Sequence, residues 1–318
     1  FSNDAKGALL LEPTRSNLLS YSEDFSQSYW LKTSGVGLVG GQLSPDGTNN
    51  AYKFTANSNN AVMYKQFSGS TNTNYNNSIY AKRVVGNGDV ILKSVQYNDL
   101  VIPLTTEWQR FNISDLTTSD ILTFQIGLAT LGDEILIYGA QLEQGSYATS
   151  YIPTQGSAVT RSADASSQTV PSGIIGQTEG TMFFEIDFAN TSGVAGAWSI
   201  TSGSSANRIT MNTLGFSLTQ FTLSIAQNYN SSSTKLASTN VTYSDNHKVA
   251  IKYSATTLKL FVDGQLADSV ATDGFGNYTK FYLGGNQVGA GGDARKFIQA
   301  DLYNTALTDT ELAALTKI

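Results

Sequence analysis

The sequence predicts an all-β protein, two tandem antiparallel β-sandwiches closed by one short C-terminal helix. Three observations predict it. Only 14% of the 318 residues are charged, and Asn, Ser, Thr and Gly fill most polar positions, a mixture that favours turns and half-exposed strands over long amphipathic helices. Apolar residues recur with period two in short runs bounded by turn formers. The length is too great for one small domain and suits two, each able to bury its own core.

Through the first half run NNAYKFTA, NAVMYKQFSG, NNSIYAKRVV, GDVILKSVQYN, EWQRFNIS, ILTFQIGLAT and EILIYGAQLE, each bounded by Asn, Gly, Asp or Ser, the pattern of a meander or jelly roll. In NSIYAKR, Ile79 and Ala81 point one way and Tyr80 and Lys82 the other. In LTFQIGLA, Phe124, Ile126 and Leu128 share a face opposite Gln125. Residues 1–155 therefore read as the first sandwich. From Tyr151 to Gln177 the chain holds two of its five prolines and little besides Ser, Ala, Thr, Gln and Gly, which places a connector at 156–178. Residues 179–318 form the second sandwich, with runs such as GTMFFEIDFA, RITMNTL, FTLSIAQNY, HKVAIKYSA and KFIQADLYN. Within LKLFVDGQLAD, Asp263-Gly264 is a strong hairpin signal. Thr308 to Glu311 form a capping box, and Leu312 and Leu315 give the helix an apolar stripe to lay on the second sandwich.

Composition excludes several function classes. A net charge of −6 removes the basic surface that nucleic acid requires and disfavours an anionic membrane. With no cysteine there are no disulfides, thiolate zinc sites or cysteine nucleophiles. No apolar run approaches the roughly 20 residues that span a bilayer. Phe1 is not an initiator residue, so the chain reads as a piece of a longer product.

Five segments then match a known pattern in order. GALLLEPTRSNLLSYSEDFSQSYW, SPDGTNNAYKFT, NNSIYAKRV, WQRFNIS and IYGAQLEQGSYATSYIPTQGSAVTRSAD, spread over residues 7–164, resemble the jelly-roll carbohydrate-binding-like modules of bacteriophage tail and tail-fibre proteins. The second half, through GTMFFEIDF, HKVAIKYSATTLKLFVDGQ, FYLGG and ALTDTELAAL, resembles a concanavalin A-like, laminin-G-type sandwich. The resemblance implies a virion-exposed, extracellular tail component. Its partners would be host surface polysaccharide and other virion proteins. A homotrimer is the usual assembly of tail fibres, although no heptad or β-helix repeat is present.

Catalysis has little to stand on. His247 is the only histidine, so any triad or His-metal site would pass through it, and its place at a strand entry reads as packing. Glu185 and Asp187 in FFEIDF resemble part of the Glu-x-Asp-x-x-Glu signature of concanavalin A-like glucanases, but Asn190 stands where the third carboxylate belongs. A depolymerase therefore ranks behind a non-catalytic glycan or receptor binder and behind a purely structural decoration domain. A sugar needs a ring to stack on and polar groups for its hydroxyl edge, and alternation offers Tyr80, Lys82, Trp108 and Arg110 on outward faces. Gln125 joins them if its strand lies in the same sheet, and Tyr64 and Tyr97 are further candidates. The jelly-roll resemblance also implies a structural calcium between the N-terminal segment and the last strand, with Glu23, Asp24 and Glu143 as oxygen donors.

Overall fold

The computed structural model describes residues 9–96, 98–164, 166–188, 195–204, 206–216, 220–229, 233–242, 246–272, 274–286, 289–290 and 295–318. They fall into two compact units, one of residues 15–161 and one of residues 162–318 together with the stretch before Arg15.

The 15–161 unit is a sandwich of two five-stranded antiparallel sheets. One sheet runs, in spatial order, Gln109–Leu116, Asn74–Val85, Glu134–Gln144, Ala51–Ala56 and Val36–Gln42, and the other Leu31–Lys32, Ala61–Ser68, Ile121–Leu128, Val90–Lys93 and Asp99–Val101. Alternation decides which side chains meet between them. Phe54, Ile79, Ala81, Phe124, Ile126, Leu128, Ile135 and Ile137 all point inward and lose all solvent contact. Each large aliphatic or aromatic side chain buried there contributes about 2 kcal/mol. A register shift between Val39 and Gln42 coincides with Gly41 at φ +74°, a left-handed conformation that glycine adopts at no steric cost.

The other unit is a second sandwich of two six-stranded sheets. The first has the order Leu9–Leu11, Arg295–Tyr303, Gly180–Asp187, Asn246–Tyr253, Thr257–Val262, Gln265–Ala271; the second has Ser166–Thr169, Lys280–Leu283, Ala195–Thr201, Arg208–Phe216, Gln220–Tyr229, Ser233–Thr242. Met182, Phe184 and Ile186 face its core, where the Phe184 ring stacks on Trp198 at 4.9 Å. Phe183, on the opposite face, joins Ala250, Phe261 and Leu312 beneath the helix Asp309–Leu315. The Thr308–Glu311 capping box closes in both directions, and Asp263 and Gly264 turn the hairpin at φ +49° and +83°.

The units divide the chain differently from the boundaries read in the sequence. Leu9–Leu11 is an edge strand of the second sandwich, pairing with Arg295–Phe297, and not part of the first. Glu12 and Asp164 tie the same region together, the Glu12 amide donating to the Asp164 carboxylate at 2.9 Å. The 156–178 stretch is also not an element-free connector: Val159–Arg161 pairs with Arg15–Asn17, and Ser166–Thr169 pairs with Lys280–Leu283. Both are edge strands held by backbone bonds, so they need no apolar alternation and their polar composition reads as loop. The chain thus passes between the units twice, after Thr14 and after Arg161.

Gly264 has room for a side chain but the wrong dihedral for one, the nearest atoms to an added Cβ standing at 3.6 Å. Gly264→Ala is therefore expected to destabilise the second sandwich by about 1–2 kcal/mol through left-handed strain, read as a lower urea midpoint with an unchanged slope.

Candidate functional site

The stretch GAQLEQGSYATSYIPT leaves the Glu134–Gln144 strand and folds back along the first sandwich, fastened by buried polar side chains. Asn17 has no solvent contact and uses all four of its bonds. Its amide donates to the carbonyls of Ala140 (3.1 Å) and Ile152 (2.9 Å), and its carbonyl accepts from the amides of Leu19 (3.1 Å) and Leu142 (3.2 Å). Gln141 accepts from the Ile152 amide at 2.8 Å and donates to Glu143 at 2.8 Å. The fully buried Glu143 carboxylate also takes the Thr149 amide and hydroxyl, at 2.8 and 2.7 Å, with Arg15 at 3.9 Å. Gly139, at φ +63°, sits at the register shift in that strand between Tyr138 and Gln141, and a Cβ there would press on the Tyr151 and Tyr80 rings at 3.2 Å.

This clasp decides the fate of the residues expected to hold sugar. Tyr80 and Arg110 are cross-strand neighbours, and Tyr138 lies opposite Tyr80 on its other side. The exit segment reaches both. Tyr151 packs edge-on against Tyr80 and Tyr138, while Arg110 donates to the Thr149 carbonyl at 2.5 Å and to the Ser78 hydroxyl at 2.9 Å, its guanidinium over the Tyr80 ring. Only the Lys82–Trp108 pair stands clear of these bonds, with the ammonium 5.4 Å from the ring centre. Gln125 does not join them, because its strand belongs to the other sheet, where it lies between Tyr64 and Lys93. Tyr97 lies outside the described residues.

The same segment builds one wall of a groove of about 670 Å³ in this unit. Its lining is Glu23, Asp24, Gly41, Asn49, Asn50, Tyr52, Pro153, Thr154, Gln155 and Val159. Thr154 is fixed by Ser22 through reciprocal bonds, the Ser22 amide to the Thr154 hydroxyl at 3.0 Å and the Thr154 amide to the Ser22 hydroxyl at 2.8 Å. Glu23 accepts from the hydroxyls of Tyr151 (3.0 Å) and Tyr138 (3.2 Å) and from the Asn50 amide (3.1 Å). Asp24 accepts from Ser26, Gln27 and the Tyr52 hydroxyl, the last at 2.8 Å. Partial burial pulls the Asp24 carboxyl upward, but these donors outweigh it and hold the group at about 2. Burial, reinforced by Asp46 and Glu23, pushes the Tyr138 hydroxyl well above the usual tyrosine range, so it stays a donor. Asn49 and Asn50 emerge from a turn that Asp46 closes by accepting from Ser44 and Thr48.

Sequence reasoning named Glu23 and Asp24 as metal ligands and missed the rest of this groove. Tyr52 was hidden by alternation, since it shares a face with Phe54 and its ring packs on Phe25, yet its hydroxyl reaches Asp24. The signal that could have found it was the Asn-rich turn SPDGTNN together with the aromatic exit SYIPT. The expected calcium trio does not fit. Glu143 is enclosed and its oxygens are taken by Gln141 and Thr149, and among the described residues no three His, Cys, Asp or Glu side chains stand together to hold a cation. Such an ion needs six to eight oxygens.

In the second sandwich His247 is buried between Asp263 Oδ2 at 2.6 Å from Nδ1 and the Thr242 carbonyl at 2.9 Å from Nε2. Asp263 also accepts from the Lys248 amide at 3.0 Å, so the pair pins the hairpin turn to the neighbouring strand. Glu185 lies across from Lys248 and Gln299, and Asp187 across from Asn246 and Lys296. Position 190 is outside the described residues.

No family model matches the chain, and no curated protein matches it. Among solved structures it is similar to the Ruminococcus gnavus IT-sialidase CBM40 bound to alpha2,3 sialyllactose, at 18% identity over 45% of this chain and 84% of that one, with a TM-score of 0.34. It is also similar to the CBM22-1-CBM22-2 tandem of Paenibacillus barcinonensis Xyn10C, at 11% identity over 96% and 100% with a TM-score of 0.32. A third is the SAP-like pentraxin of Limulus polyphemus, at 13% identity over 48% and 81% with a TM-score of 0.37.

Asn17→Ala strands four buried backbone partners and is expected to cost about 3 kcal/mol, measured by urea denaturation of the full chain. Asp24 supplies a pH test. Its folded-state value is depressed from 3.8 to about 2, so the stability it provides is present above pH 4 and is lost as pH falls toward 2. A carboxyl-carbon NMR titration should follow Asp24 ionised through pH 3, and Asp24→Asn should flatten that part of the stability profile.

Proposed function

We propose that the protein is a non-catalytic glycan-binding component, and that the groove of the first sandwich is its sugar site. The observation that carries this reading is the groove's mixed lining. Tyr52, Pro153 and Val159 offer apolar surface, while Glu23, Asp24, Asn49, Asn50 and Gln155 offer acceptors and donors at its edges. A pyranose presents the complement, with C–H faces and a rim of hydroxyls. The partners of Asp24 and Glu23 are fixed in advance, so little ordering cost falls on binding.

The setting is proposed from the sequence resemblance: an extracellular position on a virion, as part of a phage tail that meets host surface polysaccharide, with trimerisation multiplying weak sites into useful avidity. The open Lys82–Trp108 pair is the competing sugar platform, and Tyr64 and Gln125 offer a third on the opposite sheet. A purely structural decoration domain and a depolymerase acting through Glu185 and Asp187 are the rival functions.

One experiment separates them. The multimerised full chain is tested on a host-polysaccharide array, with soluble products assayed for new reducing ends. Binding is expected without cleavage. Asn49→Trp, an exposed substitution that fills the groove, should abolish binding at unchanged melting temperature, whereas Trp108→Ala should retain it. Loss only in Trp108→Ala would move the site to the sheet face, absence of binding would favour decoration, and reducing ends lost in Glu185→Gln would restore the enzyme.

A further inference from the structure

The groove's charge specifies what kind of sugar it admits. Among the described residues, two of the ten that line it are carboxylates and none is Lys, Arg or His. Lys32 feels the charge of Asp24 but does not line the groove, and its ammonium reaches the Ser26 carbonyl at 3.5 Å. Asp46, an exposed carboxylate outside the lining, lies 2.8 Å from the Tyr138 hydroxyl that also touches Glu23. Neither lining carboxylate is saturated. Glu23 Oε2 has the Asn50 amide as its donor and Asp24 Oδ2 has Gln27 at 2.7 Å, and each oxygen has a second lone pair to offer.

We propose that this groove takes a neutral or amine-bearing saccharide unit and refuses carboxylated or sulfated ones. The inference rests on the groove being the glycan site, and it specifies the substrate class. A ligand hydroxyl or ammonium donates to the open oxygens of Glu23 and Asp24 and gains from their charge, whereas an acidic sugar brings like charge beside them, where no described lining residue is a cation and Lys32 stands outside the lining. Donors on Asn49, Asn50 and Gln155 reach hydroxyl oxygens around the ring, so the amides complete the recognition of an uncharged unit.

The test uses matched pairs on one array probed with the multimerised full chain: oligogalacturonates against their methyl esters, chitosan oligosaccharides against their N-acetylated forms, and sulfated against unsulfated glycans. Among the backbones bound, the acidic member should bind at least tenfold more weakly than its neutral counterpart, about 1.4 kcal/mol, and the gap should narrow in high salt. Gln155→Lys places a cation on the rim without touching the buried clasp and should raise binding of the acidic members. If acidic members bind as well as or better than neutral ones, and Asn49→Trp still abolishes that binding, the charge inference falls while the glycan site stands. If no glycan binds at all, both fall.

Discussion

Asn17 is sealed from solvent with every donor and acceptor engaged, and the surface of the first sandwich depends on that one side chain. It ties the first strand of the unit to both ends of a turn, Ala140 and Leu142 on the closing strand and Ile152 on the exit segment. Buried amides of this kind add little net stability when satisfied, but they are costly when broken, so they select one arrangement of the chain over its neighbours. Gln141 and Glu143 extend the selection along the segment. Each points toward the exit loop and bonds to its backbone, at Ile152 and at Thr149.

The clasp trades one surface for another. The outward face of the Asn74–Val85 and Gln109–Leu116 strands carries the tyrosines and cations that would suit a sugar, but Thr149 and Tyr151 are held over its centre. The same backbone, a few residues on, sets Pro153, Thr154 and Gln155 across from Glu23, Asp24 and Tyr52. Tyr151 belongs to both events. Its ring covers Tyr80 and its hydroxyl aligns Glu23. A polar, carboxylate-bearing groove at the end of the sandwich replaces an aromatic platform on its face.

Much of the fold was legible because period two is a local property. Ile79 against Tyr80 and Phe124 against Gln125 sort to their faces as alternation requires, and the Asp-Gly turn and the capping box form where their chemistry demands. Long-range choices were not legible. Leu9–Leu11 reads as the start of the first sandwich yet completes an edge of the second, since an apolar tripeptide carries no address for its partner strand. The site failed for a related reason. Alternation gives the face of Tyr80 correctly but cannot say that a segment about 70 residues later folds over it, nor that the Tyr52 hydroxyl emerges from a core-facing ring to meet Asp24. Glu143 reads as a calcium ligand because the jelly-roll resemblance implies an ion beside the closing strand, and only the folded chain shows its oxygens already occupied.

The clasp is tested most directly by native-state amide hydrogen exchange at Thr149 and Ile152, whose N–H groups donate to the buried Glu143 and Gln141 side chains. If the clasp holds the exit segment as described, both amides exchange as slowly as the central strand amides of Ile135 and Ile137, opening only with global unfolding of the unit. Exchange near the rate of an unstructured loop would contradict it, leaving the groove without its wall and the aromatic face uncovered.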